Sequence, residues 1–150
     1  MPADHDAVAR ETVARFVAAW ESKNATRFAE LFHHDADFTN VFGAHARGRD
    51  AIAAMHAPIF ASVFKDSVLE AGEPAVRAVR DDVVAVDLAW TMRGHRGPDG
   101  AALPERRGLL SFVVTRDDDW RILISHNLDL TDDAEALAFR RDASVSIGPQ

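Results

Sequence analysis

RRGLLSFVVTRDDDWRILISHNLDL, residues 106–130, is two runs rich in Val, Ile, Leu, Phe and Trp joined by three aspartates. Such runs read as strands and DDD reads as the turn between them. Working back, VVAVDLAWTMRG (83–94) and SVLEAGEPAVRAV (67–79) are of the same kind, set off by Asp81-Asp82 and by RGPDGAALP (96–104). The second half of the chain is therefore a strand meander.

The first half is helical. Val8, Val13, Phe16, Val17 and Trp20 recur at three- and four-residue steps, which predicts a helix over 5–22. Asn24 reads as the N-cap of a short second helix carrying Phe28, Leu31 and Phe32, rather than as a glycosylation site. A strand around Phe38 follows, with Gly43 and Gly48 marking a tight return. A third helix is expected from about Asp50 to Phe64, with Ile52, His56, Ile59, Phe60 and Val63 on one stripe and Pro58 to kink or shorten it. Helices first and strands after predict an α+β domain over 1–130, with a curved mixed or antiparallel sheet around three N-terminal helices. Residues 131–150 are expected to be a tail without catalytic content.

The bulk composition excludes several functions. A net charge of −7 with scattered arginines argues against a nucleic-acid partner. The chain has no cysteine, so disulfides and thiol chemistry are absent. No apolar run approaches the ~20 residues of a membrane span, and MPADHD carries no signal core, so a cytoplasmic protein is expected. GxGxxG, Walker and GxSxG motifs are missing, and no cofactor is expected.

Strand faces bear on partners. From Val83, one face carries Val84, Val86, Leu88, Trp90 and Met92, and the other Val83, Ala85, Asp87, Ala89 and Thr91. In the last strand Trp120, Ile122, Ile124, His126 and Leu128 alternate with Arg121, Leu123, Ser125, Asn127 and Asp129. Neither second face is plainly polar, which predicts a homodimer through the back of the sheet.

DADFTNVFG (35–43), GRDAI (48–52), HAPIF (56–60), LAWTMRG (88–94) and GLLSFVVTRDDDWRILISHN (108–127) together resemble the SgcJ/EcaC-type branch of the SnoaL-like proteins. That branch lies in the cone-shaped superfamily of nuclear transport factor two and ketosteroid isomerase. The branch usually ends its last block in HNT, where this chain has His126-Asn127-Leu128. The resemblance implies an apolar cavity between helices and concave sheet, and a link to polyketide or enediyne metabolism. It also places the isomerase's catalytic aspartate on Asn40, its helix tyrosine on Phe16 and its protonated aspartate near Phe112. An amide is no base and phenylalanine donates no hydrogen bond, so isomerase chemistry is excluded.

By that resemblance the cavity wall comprises Phe16, Trp20, Phe38, Met55, Phe60, Trp90 and Phe112, with Leu88 and Val114. Asn40 would share a strand face with Phe38 and Phe42, facing either a turn or a ligand oxygen. His56, inward on its stripe, would be a neutral imidazole able to take a proton. Alternation puts His126 with the apolar face of its strand, the resemblance puts Asn127 in the cavity, and a bulge would decide between them. His33, His34 and Asp35 at a helix end make a poor chelate, and no metal is expected. His5, His45 and His95 have no evident convergent partner, and Arg49 is expected to pair with a carboxylate. The resulting expectation is a cofactor-independent enzyme on a hydrophobic small molecule: His56 or His126 moves a proton, Asn40 and Asn127 hold an oxygen, and the aromatic residues position the skeleton. A carrier protein or a dimerisation module with a filled cavity are the alternatives.

Overall fold

The computed structural model describes residues 3–130. Helix α1 (His5–Ser22) starts at Asp4, whose side chain accepts from Ala7 N at 3.1 Å, and ends at Lys23 in the left-handed region at φ 53°. Its inward face is Ala9, Val13, Phe16, Ala19 and Trp20, the expected helical spacing. Helix α2 (Ala25–Ala29) is capped by Asn24, which accepts from Arg27 N at 3.0 Å. It stops earlier than expected, because Phe32, His33 and His34 already belong to strand β1 (Phe32–Thr39).

Strand β1 turns through residues 40–44 into β2 (His45–Arg47), and α3 (Arg49–Phe60) follows directly. The third helix ends at Phe60, two residues after Pro58 and short of Phe64. Arg49 donates its Nε to the Phe32 carbonyl at 2.7 Å, a backbone tie between helix and strand instead of the expected carboxylate pair.

The 67–79 run is broken in two at Gly72-Glu73-Pro74, giving β3 (Val68–Ala71) and β4 (Ala75–Arg80). Both pair antiparallel with β5 (Val83–Arg93), β3 near its end and β4 near its start. Strands β6 (Arg106–Arg116) and β7 (Trp120–Leu130) complete the meander. The sheet order is β2-β1-β7-β6-β5-β3, with β4 also on β5. Among the described residues only β1 against β7 is parallel, so the sheet is mixed.

This is the expected α+β cone, with helices packed into the concave face of a curved sheet. Phe28 and Ile52 from the helices and Phe32, Val84, Leu88, Leu110 and Ile122 from the sheet belong to one buried core. Each such side chain contributes roughly 1.5–3 kcal/mol by leaving water. No helix among the described residues is long and apolar enough to cross a membrane. The 131–150 tail lies outside the described residues.

Candidate functional site: an apolar cavity with a few polar groups

Between α1, α3 and the sheet lies a cavity of about 400 Å³, and a narrow cleft of about 30 Å³ shares Trp20, Phe38, Trp90, Met92 and Asn127 with it. Trp20, Phe38, Met55 and Trp90 line the cavity as expected. Phe16 and Leu88 reach only the cleft. Phe60 and Phe112 do not line the cavity: Phe60 is packed edge-on against Trp20 and Phe28, and Phe112 sits beside Val86 in the core. Val114 is likewise buried in the core.

His56 is 3% exposed and lines the cavity from α3, one turn after Ile52. Its ring is ringed by Phe28 at 4.4 Å, Phe38 at 4.8 Å and Phe60 at 5.6 Å. Nδ1 donates to the Ile52 carbonyl at 2.7 Å, which fixes the tautomer and leaves Nε2 as the lone-pair nitrogen. Burial lowers its pKa to about 4, against the backbone hydrogen bond, which acts to raise it. His56 is thus a neutral base at ordinary pH.

Asn40 is both a turn residue and a cavity residue. Its Oδ1 accepts from Phe42 N at 3.0 Å and Ala44 N at 2.9 Å, closing the β1–β2 turn. The oxygen is therefore committed, and what Asn40 can offer a ligand is its Nδ2 group. Phe42 does not continue the strand face with Phe38; it sits in the turn, 89% exposed, at the cavity rim. Asn40→Ala is expected to lower stability by about 1–2 kcal/mol in urea denaturation, since two backbone N–H groups lose their acceptor. Asn40→Asp keeps that acceptor, so its urea midpoint should stay near the parent's.

The histidine-asparagine question of β7 is settled by a bulge. Val113 pairs with Ile124 but Val114 pairs with Ile122, so Leu123 is an extra residue in β7. The alternation resets there: Ile122 is inward, and beyond it Ser125, Asn127 and Asp129 take the inner phase. Asn127 lines the cavity and its Oδ1 accepts from Trp90 Nε1 at 2.8 Å, again leaving Nδ2. His126 is exposed on the convex side with Ile124, in a shallow depression beside Asp87 and Ser111. The expectation of His126 in the cavity is corrected accordingly.

The Trp90 ring needs Gly108 opposite it on β6. A Cβ at Gly108 would fall inside that ring and against the Leu128 carbonyl. Gly108→Ala is expected to cost about 1–3 kcal/mol and to shift tryptophan emission, as the indole leaves Asn127.

Sequence reasoning missed one polar group of the cavity. In it Arg106 Nη2 pairs with Asp129 Oδ2 at 3.1 Å, and the guanidinium lies over Trp90 at 5.7 Å and Phe64 at 5.8 Å. His95, from the loop after β5, is buried beside them and lines the same cavity. Asp129 was legible once Asn127 was known to face inward, since it lies two residues on; Arg106 and His95 gave no local signal.

His33, His34 and Asp35 lie in β1, not at a helix end, and their donor atoms fall within 4.8 Å of one another. His33 is already engaged, with Thr115 Oγ1 at 2.7 Å from Nε2 and Asp117 at 3.6 Å from Nδ1.

A curved mixed sheet closed by three helices over a largely apolar cavity is the architecture of the cone-fold domains. The chain belongs to the SnoaL-like domain family, whose model matches residues 13–122. Its fold is similar to an uncharacterised cystatin-like-fold protein from Caulobacter vibrioides, at TM-score 0.79 and 25% identity over 90% of this chain and 96% of that one. A ketosteroid isomerase-like protein from Erwinia carotovora atroseptica matches at TM-score 0.72 and 14% identity, over 85% and 98%. A nuclear transport factor 2-like protein from Salmonella enterica matches at TM-score 0.72 and 20% identity, over 85% and 95%. No curated protein matches the chain.

Proposed function

We propose that this protein is a cofactor-independent enzyme that moves a proton within a hydrophobic, polyketide-type small molecule of secondary metabolism; its motifs resemble the SgcJ/EcaC-type branch, some of whose members sit in enediyne polyketide gene clusters. One observation carries the reading: a neutral imidazole with an uncommitted lone pair stands in the wall of an apolar cavity of about 400 Å³. His56 Nε2 takes the proton from a C–H next to a carbonyl. The Nδ2 groups of Asn40 and Asn127 donate to the oxygen on which negative charge develops, and Trp20, Phe38, Met55 and Trp90 hold the skeleton.

Because enolate formation in deuterium oxide labels the carbon, exchange into a bicyclic aryl ketone such as 2-tetralone, followed by mass spectrometry, tests the chemistry. Label entering no faster with protein than with buffer would reject proton transfer on this class. Mass spectrometry of small molecules that co-purify would identify the natural skeleton. The alternative, a carrier that sequesters the same kind of molecule, is favoured by Asn40, Phe16 and Phe112 standing where the resemblance places the isomerase's catalytic groups. It predicts tight binding with no label incorporated.

The partner and compartment belong to the same proposal. Ile124, Leu128 and Leu130 leave apolar surface exposed on the outer phase of β7, which supports a homodimer through the back of the sheet. A cysteine-free chain suits a reducing cytoplasm.

A further inference from the structure

We propose that the cavity contains a second polar subsite, built on His95, that receives the hydroxyl of a neutral aromatic or enolic ligand. This rests on the ligand-binding part of the function proposed above and narrows it to a hydroxylated substrate class.

His95 is 2% exposed, and neither ring nitrogen has a hydrogen-bond partner among the described residues. A buried polar group left this way is costly, and a neutral imidazole carries one unmet donor and one unmet acceptor. His95 contributes to the lining of the same cavity as His56 and Asn127. Burial first, and the Arg106 charge second, push its pKa below the ordinary histidine value, against a smaller opposing effect of Asp129.

The surroundings select the ligand's chemistry. Arg106 is paired with Asp129 at 3.1 Å, and Arg96 lies 3.8 Å from Asp66, so each nearby cation already has its carboxylate. A carboxylate ligand would meet the Asp129 charge with no surplus cation to offset it. A hydrocarbon would leave both imidazole nitrogens unmet. A hydroxyl both gives and takes a hydrogen bond, and the Phe64 and Trp90 rings beneath the Arg106 guanidinium form the apolar wall for the ring that bears it.

Isothermal titration of the full chain at neutral pH with 2-naphthol, 2-methylnaphthalene and 2-naphthoate tests this. The expected result is binding of 2-naphthol about 10-fold tighter than either of the others, the size of one net hydrogen bond. His95→Leu should abolish that preference while leaving 2-methylnaphthalene within about 2-fold. His95→Gln, which keeps a donor and an acceptor, should restore part of it and controls for folding. Equal binding of 2-naphthol and 2-methylnaphthalene, preference for 2-naphthoate, or a preference that survives in His95→Leu would each overturn the subsite. If none of the three binds to a cooperatively folding protein, the cavity as a ligand site falls too. A retained 2-naphthol preference without deuterium exchange would support the subsite and sink only the proton-transfer reading.

Discussion

Substituting His56 by glutamine is expected to slow deuterium exchange by 10²–10⁴-fold while leaving ligand affinity within a few-fold. That range is what a positioned general base contributes. Glutamine can still donate to the Ile52 carbonyl and fills a similar volume, so the helix and the aromatic collar are kept, but an amide has no basic lone pair. The split between rate and affinity is the informative part: a structural histidine would lose both, or stability, together. The pH profile gives a second reading of the same residue. Only the neutral imidazole accepts a proton, and burial puts its pKa at about 4. The protein-dependent rate should therefore change little between pH 8 and about 5 on account of His56, and fall away below about 4. A rate that declines already through the ordinary histidine range would point to another group as the base. Full exchange in the glutamine variant would end the mechanism.

The second large effect is on stability in acid. His56 has an ordinary pKa of 6.5 in the unfolded chain and about 4 in the folded one. Between those values the unfolded state binds the proton and the folded state does not, so stability rises with pH through the window and is lost as pH falls from about 6.5 to about 4. The difference corresponds to about 3 kcal/mol, a substantial share of what holds a domain of this size together. His95 acts in the same direction through its lowered pKa. Urea denaturation of the parent and of His56→Phe at pH 7 and pH 4.5 isolates the contribution. The parent should lose more stability than the variant between the two values, because phenylalanine takes up no proton. Equal losses would show that His56 accepts its proton without cost, which would mean that it is wet rather than enclosed by Phe28, Phe38 and Phe60.

The helical half and the inward face of β5 were readable because their determinants are local. Val13, Phe16 and Trp20 repeat at the helical period, Asn24 caps its own helix, and Val84 through Met92 alternate without interruption. His56 was found the same way, four residues from Ile52 and four from Phe60 on one stripe. Boundaries were read less well where the chain changes state without a strong breaker, as at Leu31-Phe32, which continue the helical spacing but enter β1.

The cavity's polar groups followed a different logic. Nothing in GHRGPDG advertises His95, because its neighbours come from β6 and β7 and from the segment after α3. Asn40 was legible as an amide among phenylalanines, yet whether its oxygen served a turn or a ligand depended on where Phe42 N and Ala44 N lay.

Sequence alone determined the α+β order, the alternating apolar faces of the strands and the inward stripe that carries His56, since each follows from periodicities of 2 or 3.6 within one segment. Tertiary structure alone decided which face of β7 sees the cavity. One extra residue at Leu123 reverses the side of everything after it, bringing Asn127 and Asp129 in and turning His126 out. A bulge is a mismatch between two strands, set by the pairing of β7 with β6, and the residues of either strand by themselves do not contain it.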